Sequence, residues 1–164
     1  MNSSFTSSTS SNYNSQSILF VCTGNTCRSP MAEGLLKAKL GEEEQIKISS
    51  AGVSAMPGQP ASRETQAILV RKNAIIEGFK SRQVDEEIIS GSDLIVAMTE
   101  SHAGVIRHYF PDSEVQLICN FIDPEEGLAG EDLPDPYGMS HEAYEEVAEV
   151  IELALPGILN QLKK

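Results

Sequence analysis

Nine consecutive residues, Cys22-Thr23-Gly24-Asn25-Thr26-Cys27-Arg28-Ser29-Pro30, combine a sulfur nucleophile, a planar cation and the residue types of a tight turn. Cys22 and Arg28 stand six positions apart, bracketing a polar loop that leaves an apolar run and enters a helix. The main-chain N–H groups of such a loop can converge on one point, and the helix N-terminus adds its positive end. Together they form an anion cradle that needs no net positive charge. Arg28 can grip two oxygens of a phosphoryl group in a planar fork, which a lysine could not do. The same field favours the thiolate of Cys22 over the thiol. Ser29 is placed to donate its hydroxyl to that sulfur and to cap the following helix, with Pro30 at its first position. Gly24 and Asn25 tolerate the positive φ that a tight cradle demands. The chemistry this pattern supports is capture of a phosphoryl group and attack on it by sulfur. The alternative, a buried cysteine beside an unrelated surface arginine, leaves the coincidence of turn residues, spacing, serine and proline unexplained.

These residues need elements to hold them. Ile18-Leu19-Phe20-Val21-Cys22 has the continuous apolar character of a strand buried on both faces. The spacing predicts a helix over Pro30–Leu40, with Leu35, Leu36 and Leu40 on its buried stripe and Gly41 ending it. A strand is expected at Ile46–Ser50 and a helix from Ser62 to about Glu77, closed by Gly78. Leu94–Met98 reads as a strand, followed by a helix ending near Phe110 before Pro111. Val115–Cys119 reads as the last strand, with Cys119 in the core. A loop rich in proline, glycine and acidic residues spans Ile122 to Met139. The final helix begins after Ser140, and Pro156 removes one of its ladder hydrogen bonds and should kink it.

Four strands alternating with helices imply an α/β three-layer sandwich with a parallel sheet and right-handed crossovers. In such sheets ligands bind beyond the carboxyl ends of the strands, where the loop after Cys22 falls. Residues 18–164 make one domain. Residues 1–17, rich in serine and asparagine and without a charged side chain, read as a disordered tail.

Composition bounds the function. The chain has 164 residues and a formal net charge of −12, which argues against nucleic acid and against anionic membranes. Any anion site must therefore be a local pocket. No apolar run approaches the ~18–20 residues of a membrane span. The three cysteines lack the even spacing of a disulfide framework, which suits a reducing, cytoplasmic compartment. No Cys-x-x-Cys pair occurs, and His102, His108 and His141 lie far from Cys22 and Cys27, so no metal site is expected. Without a visible partner, these histidines are assigned to surfaces or helix faces, and Glu142, Glu145, Glu146 and Glu149 to a solvated helix face.

The stretch Val21–Pro30 resembles the signature of the low molecular weight protein-tyrosine phosphatases. The likeness continues at Ser50-Ala51-Gly52, Ser81-Arg82-Gln83-Val84, Asp93–Thr99 and Asp135-Pro136-Tyr137-Gly138, covering nearly the whole chain after the tail. It implies the phosphotyrosine protein phosphatase I-like fold, with sheet order 2-1-3-4. It also implies Cys22, Arg28 and Asp135 as catalytic residues, and Thr23 to Cys27 with Ser29 as the phosphate-binding loop. Composition alone cannot choose among Asp123, Glu125, Glu126, Glu131, Asp132 and Asp135 as proton donor; the resemblance selects Asp135, with Tyr137 lining the pocket mouth. The implied partners are a phosphorylated protein and inorganic phosphate as product, with no cofactor and no metal.

Position 26 bears on the substrate. Tyrosine-directed members resemble one another in carrying a bulky aliphatic residue there, whereas Thr26 resembles the branch acting on phosphoarginine. A hydroxyl could accept from a guanidinium N–H, while Tyr137 suits a phosphoaryl ring equally well. Met56 is a candidate pocket-wall residue, and Cys27 could pair with Cys22 on oxidation. Three alternatives differ in what they require. An arsenate reductase of this fold needs further redox cysteines downstream, absent between Ser81 and Ser101. A phosphocysteine carrier should lack Arg28 and Asp135. A non-cleaving phosphoprotein-binding module should have lost nucleophile or acid.

Overall fold

The computed structural model describes residues 16–41 and 45–162. Four parallel strands form one sheet: β1 (Gln16–Cys22), β2 (Ile46–Gly52), β3 (Leu94–Ala97) and β4 (Val115–Leu117). Their order is β2-β1-β3-β4, as the resemblance implied. The helices are α1 (Arg28–Leu40), α2 (Arg63–Arg71), α3 (Glu86–Ser90), α4 (Glu100–Tyr109) and α5 (His141–Leu162).

β1 is central and its side chains alternate between two cores. Ile18, Phe20 and Cys22 face a layer containing Met31, Leu35 and Leu36 of α1, Ile68 of α2 and Val147, Ile151 and Ile158 of α5. Leu19 and Val21 face the opposite layer, with Ile89 of α3 and Ala103 and Ile106 of α4. That double burial is why the strand reads as an unbroken apolar run. β1 pairs with β2 through Cys22 opposite Gly52, so both strands end at the same edge.

Several expected boundaries move. Residues 1–15 of the expected tail lie outside the described residues, and Gln16 and Ser17 belong to β1, opposite Ile46 and Lys47. Ser17 is polar yet ordered, because its N–H donates to Asp93 Oδ2 at 2.8 Å and its hydroxyl to the Gly91 carbonyl at 2.7 Å. α2 stops at Arg71 rather than near Glu77. Asn73, at φ 54°, takes the left-handed position expected of Gly78. The Ala74 N–H then reaches back to the Leu69 carbonyl at 2.7 Å, a closing bond five residues long. The last strand is shorter than Val115–Cys119, because Ile118–Phe121 winds into a 3₁₀ turn that still buries Cys119. The short helix α3 had no strong sequence period; Asp85 caps it, accepting from the Ile88 N–H at 2.8 Å.

Gly41 closes α1 as expected, at φ 66° with its N–H on the Lys37 carbonyl at 3.0 Å. α5 runs through Pro156 without a break. On the same helix Glu145 is not merely solvated: it pairs with Arg71 of α2. Among the described residues no helix is long and apolar enough to cross a membrane.

Candidate active site

The buried strand β1 delivers Cys22 to the carboxyl edge of the sheet, and the chain turns through residues 23–27 into α1. Among the described residues, the main-chain N–H groups of Thr23, Gly24, Asn25, Thr26 and Cys27 meet no protein acceptor. Five unpaired donors in one short turn, followed directly by a helix N-terminus, are the physical requirement for holding an anion.

A buried hydrogen-bond chain holds the turn in shape. Asn25 is fully buried with φ 57°. Its Nδ2 donates to Ser29 Oγ at 2.8 Å and to Ser50 Oγ at 2.9 Å, and its Oδ1 accepts from the Arg82 N–H at 2.9 Å. Ser50 in turn donates to Glu33 Oε1 at 2.7 Å. Ser29 Oγ, held by Asn25, stands 2.9 Å from Cys22 Sγ, in place to donate to a thiolate there. Ser29 thus faces the sulfur and does not cap the helix; α1 starts two residues earlier than expected, at Arg28 after Cys27, with no side-chain cap. Gly52 permits the close approach of β2 to the turn. A Cβ there would stand 2.4 Å from the Thr23 carbonyl oxygen and 3.0 Å from the Asn25 nitrogen.

Arg28 is 4% exposed and held from one side. Its Nη1 donates to the Leu133 carbonyl at 2.8 Å, while Nη2 stands 3.7 Å from Asp135 Oδ2. Leu133 is itself anchored, with its N–H on the Met98 carbonyl at the end of β3 at 2.9 Å. The loop that carries Asp135 is thus tied to both the sheet and the arginine. Asp135 remains half exposed, and its Oδ1 accepts from the Tyr137 N–H at 3.1 Å.

Together these residues surround a cavity of about 210 Å³. Cys22, Thr23, Gly24 and Thr26 line one part of it, and Cys27, Arg28, Asp135 and Tyr137 the rest. Tyr137 stands at the mouth, 74% exposed. Asn25 and Ser29 lie behind the cavity and shape it. Met56 is not among the lining residues; its side chain is 70% exposed and its carbonyl accepts from Ser81 Oγ at 2.7 Å. The larger hollows elsewhere on the surface lack both the nucleophile and the arginine.

Sequence reasoning missed three residues. Glu33, on a helix face, and Arg82 close the hydrogen-bond chain behind Asn25. His102, expected on a surface or a helix face, lies on the buried face of α4, with its Nε2 2.8 Å from Thr23 Oγ1. Burial first, and then the Arg28 charge, lower its pKa to about 4, so the ring is neutral at ordinary pH. The one available signal was its position three residues after the capping residue Thr99. Cys27 has its sulfur 3.4 Å from the buried Tyr144 Oη. Burial, and then that contact, push the Tyr144 phenol above its ordinary range. All three cysteines are free, and burial raises the thiol of Cys119.

A parallel sheet whose central strand ends in a cysteine, within an anion-cradling turn closed by an arginine, defines a cysteine-dependent phosphatase architecture. Comparison with known proteins narrows the class. The description of the low molecular weight phosphotyrosine protein phosphatases matches residues 17–164. The chain is 37% identical over 152 residues to the low molecular weight protein-tyrosine-phosphatase YfkJ of Bacillus subtilis, covering 90% of this chain and 96% of that one. It is 35% identical over 151 residues to the protein-arginine-phosphatase of the same organism, covering 90% and 97%. Among solved structures, the YwlE arginine phosphatase from Geobacillus stearothermophilus superposes with a TM-score of 0.80 at 32% identity, covering 90% of this chain and 93% of that one. This chain belongs to the low molecular weight phosphotyrosine protein phosphatase family.

Proposed function

We propose that this chain is a protein phosphatase that removes a phosphoryl group from a protein side chain in two in-line displacements at phosphorus. In the first, the sulfur of Cys22 forms a bond to phosphorus as the bond to the side-chain oxygen or nitrogen breaks. Asp135 gives its proton to the departing atom, so that the group leaves neutral. In the second, water attacks the phosphocysteine, Asp135 takes the proton, and Cys22 departs as thiolate with release of inorganic phosphate. Arg28 and the turn amides hold the equatorial oxygens through both steps. The observation that carries this reading is the hydroxyl of Ser29, held by Asn25 at 2.9 Å from Cys22 Sγ, where it donates once the sulfur is a thiolate. Such a donor stabilises sulfur as attacking and as leaving anion.

Phosphoarginine is the substrate the pocket favours. Thr26 lines the cavity with a hydroxyl where a guanidinium N–H of the substrate could be accepted, and relatives at similar identity include protein-arginine phosphatases. Phosphotyrosine is the second reading, supported by the exposed ring of Tyr137 at the mouth and by the tyrosine phosphatase relatives. The three free cysteines, with Cys119 in the core, support a cytoplasmic setting and speak against a disulfide relay of the arsenate reductase kind.

The test compares wild type and Thr26→Ile on phosphoarginine and phosphotyrosine peptides. The expected result is a shift of the activity ratio toward phosphotyrosine by about tenfold, the worth of one lost hydrogen bond. An unchanged ratio would refute the role of Thr26, and a wild type inert on both peptides would refute the phosphatase reading.

A further inference from the structure

Thr23 directly follows the nucleophile, and it is clamped from two sides. Its carbonyl accepts from the Ser54 N–H at 2.9 Å, after β2. Its hydroxyl stands 2.8 Å from His102 Nε2, across the opposite layer of the sandwich. The imidazole is pinned at its other end as well, with Nδ1 3.0 Å from Thr99 Oγ1. Thr99 also accepts the His102 main-chain N–H at 3.2 Å as the cap of α4. A neutral ring satisfies both threonines, donating to one and accepting from the other. The imidazole thus bridges a helix start to the phosphate turn almost without solvent, since His102 is 4% exposed.

The same helix start is fastened to the acid loop. The first N–H of α4, that of Glu100, donates to Asp132 Oδ1 at 2.8 Å. Asp132 stands one residue before Leu133, whose carbonyl holds Arg28 and whose N–H holds the end of β3. One turn of α4 therefore braces the phosphate turn through His102 and the loop bearing Asp135 through Asp132. Neither contact belongs to the chain of Asn25, Ser29, Ser50 and Glu33, which supports the turn from the other face of the sheet.

Resting on the phosphatase reading above, we propose that His102 is a positioning residue of the reaction, acting through Thr23 to hold the phosphate turn against the nucleophile. It touches neither substrate nor cavity; its effect runs through one hydrogen bond to the residue that follows Cys22. Loss of that bond frees the Thr23 side chain and lets the turn amides drift from where the equatorial oxygens must sit. Small misplacements of such donors are costly, because their value lies in being fixed before the charge develops.

The experiment is a double-mutant cycle on the full chain, with His102→Ala, Thr23→Val, the double variant and the conservative His102→Gln. Readouts are kcat and KM on a phosphorylated peptide that wild type hydrolyses, with thermal unfolding of each variant. His102→Ala and Thr23→Val are each expected to lower kcat/KM about tenfold, and the double variant no further. His102→Gln should recover most of the loss, because its amide can hydrogen-bond Thr23 Oγ1 in either direction. A purely structural histidine would instead give losses that add, tracking the unfolding temperature, with no rescue by glutamine. Additive losses, or full activity in His102→Ala, overturn the proposal while wild-type turnover upholds the phosphatase reading. An inert wild type overturns both.

Discussion

Arg28 and Asp135 meet across the mouth of the cavity, guanidinium nitrogen to carboxylate oxygen at 3.7 Å, while the other arm of the arginine is held by the Leu133 carbonyl at 2.8 Å. Asp135 is thereby set against the group proposed to hold the phosphoryl oxygens, on a loop fastened two residues before it. The carboxylate is half exposed, so the pair adds little to stability. Its value is positional. Asp135→Asn should lower kcat by roughly 10²–10⁴, the usual worth of a placed general acid, with KM nearly unchanged. The loss should shrink on an aryl phosphate whose leaving group needs no proton, and the unfolding free energy should stay within about 0.5 kcal/mol of wild type. Steady-state kinetics on both substrates would check this; equal losses on the two would show that Asp135 is not the acid.

Gly52 offers a second test, made at a residue with no chemistry of its own. A methyl group there would press on the Thr23 carbonyl oxygen at 2.4 Å and on the Asn25 nitrogen at 3.0 Å, both main-chain atoms of the phosphate turn. Gly52→Ala should therefore cost about 1–3 kcal/mol of stability as overpacking and lower kcat/KM at least tenfold. Gly104→Ala is the control, because nothing lies within 4 Å of its Cβ position in α4. It should stabilise the helix by up to about 1 kcal/mol and leave activity intact. Urea denaturation with kinetics on both variants would decide.

The pH dependence of stability follows from His102. Its folded pKa of about 4 lies below the ordinary 6.5, owing first to burial and next to Arg28, with Asp135 and Asp132 acting weakly in the other direction. Between those values the unfolded chain takes up a proton that the folded chain refuses. Stability from this site is thus full above the unfolded value and falls as pH drops toward 4, by about 3 kcal/mol in all. His102→Gln should remove that component. The difference in unfolding free energy between wild type and variant should move about 3 kcal/mol against wild type from pH 7 to pH 4. Parallel curves would contradict the neutral buried ring.

Legibility in the sequence divided along physical lines. β1 was readable because a strand buried on both faces leaves a continuous apolar run, and the turn was readable because Cys22, Asn25 and Arg28 are chemically constrained; Gly24 takes no positive φ, and a Cβ there would meet only Thr26 Oγ1 at 3.8 Å. α3 was not readable: five residues are too short for a helical period, and one aspartate cap decides the matter. The end of α2 was placed six residues too late because Asn73 does the work expected of a glycine. In the site itself, Cys22, Thr26, Arg28, Asp135 and Tyr137 all line the cavity, and Asn25 and Ser29 stand behind it. The pairings of Glu33, Arg82 and His102 were not legible because their partners lie 17, 57 and 79 positions away. Local pattern carries no trace of such pairings. Met56 was placed by its loop, and its side chain turns to solvent.

The central claim is that phosphate passes through a covalent bond to Cys22, and rapid quenching tests it most directly. Phosphorylated peptide would be mixed with the protein, quenched within one turnover, digested and mapped by mass spectrometry, with Cys22→Ser in parallel. The account predicts one phosphoryl group on the fragment containing Cys22, formed and lost at rates that match turnover, and no peptide hydrolysis by Cys22→Ser. Turnover in Cys22→Ser, or a quenched enzyme that hydrolyses peptide and never carries phosphate on that sulfur, would contradict it.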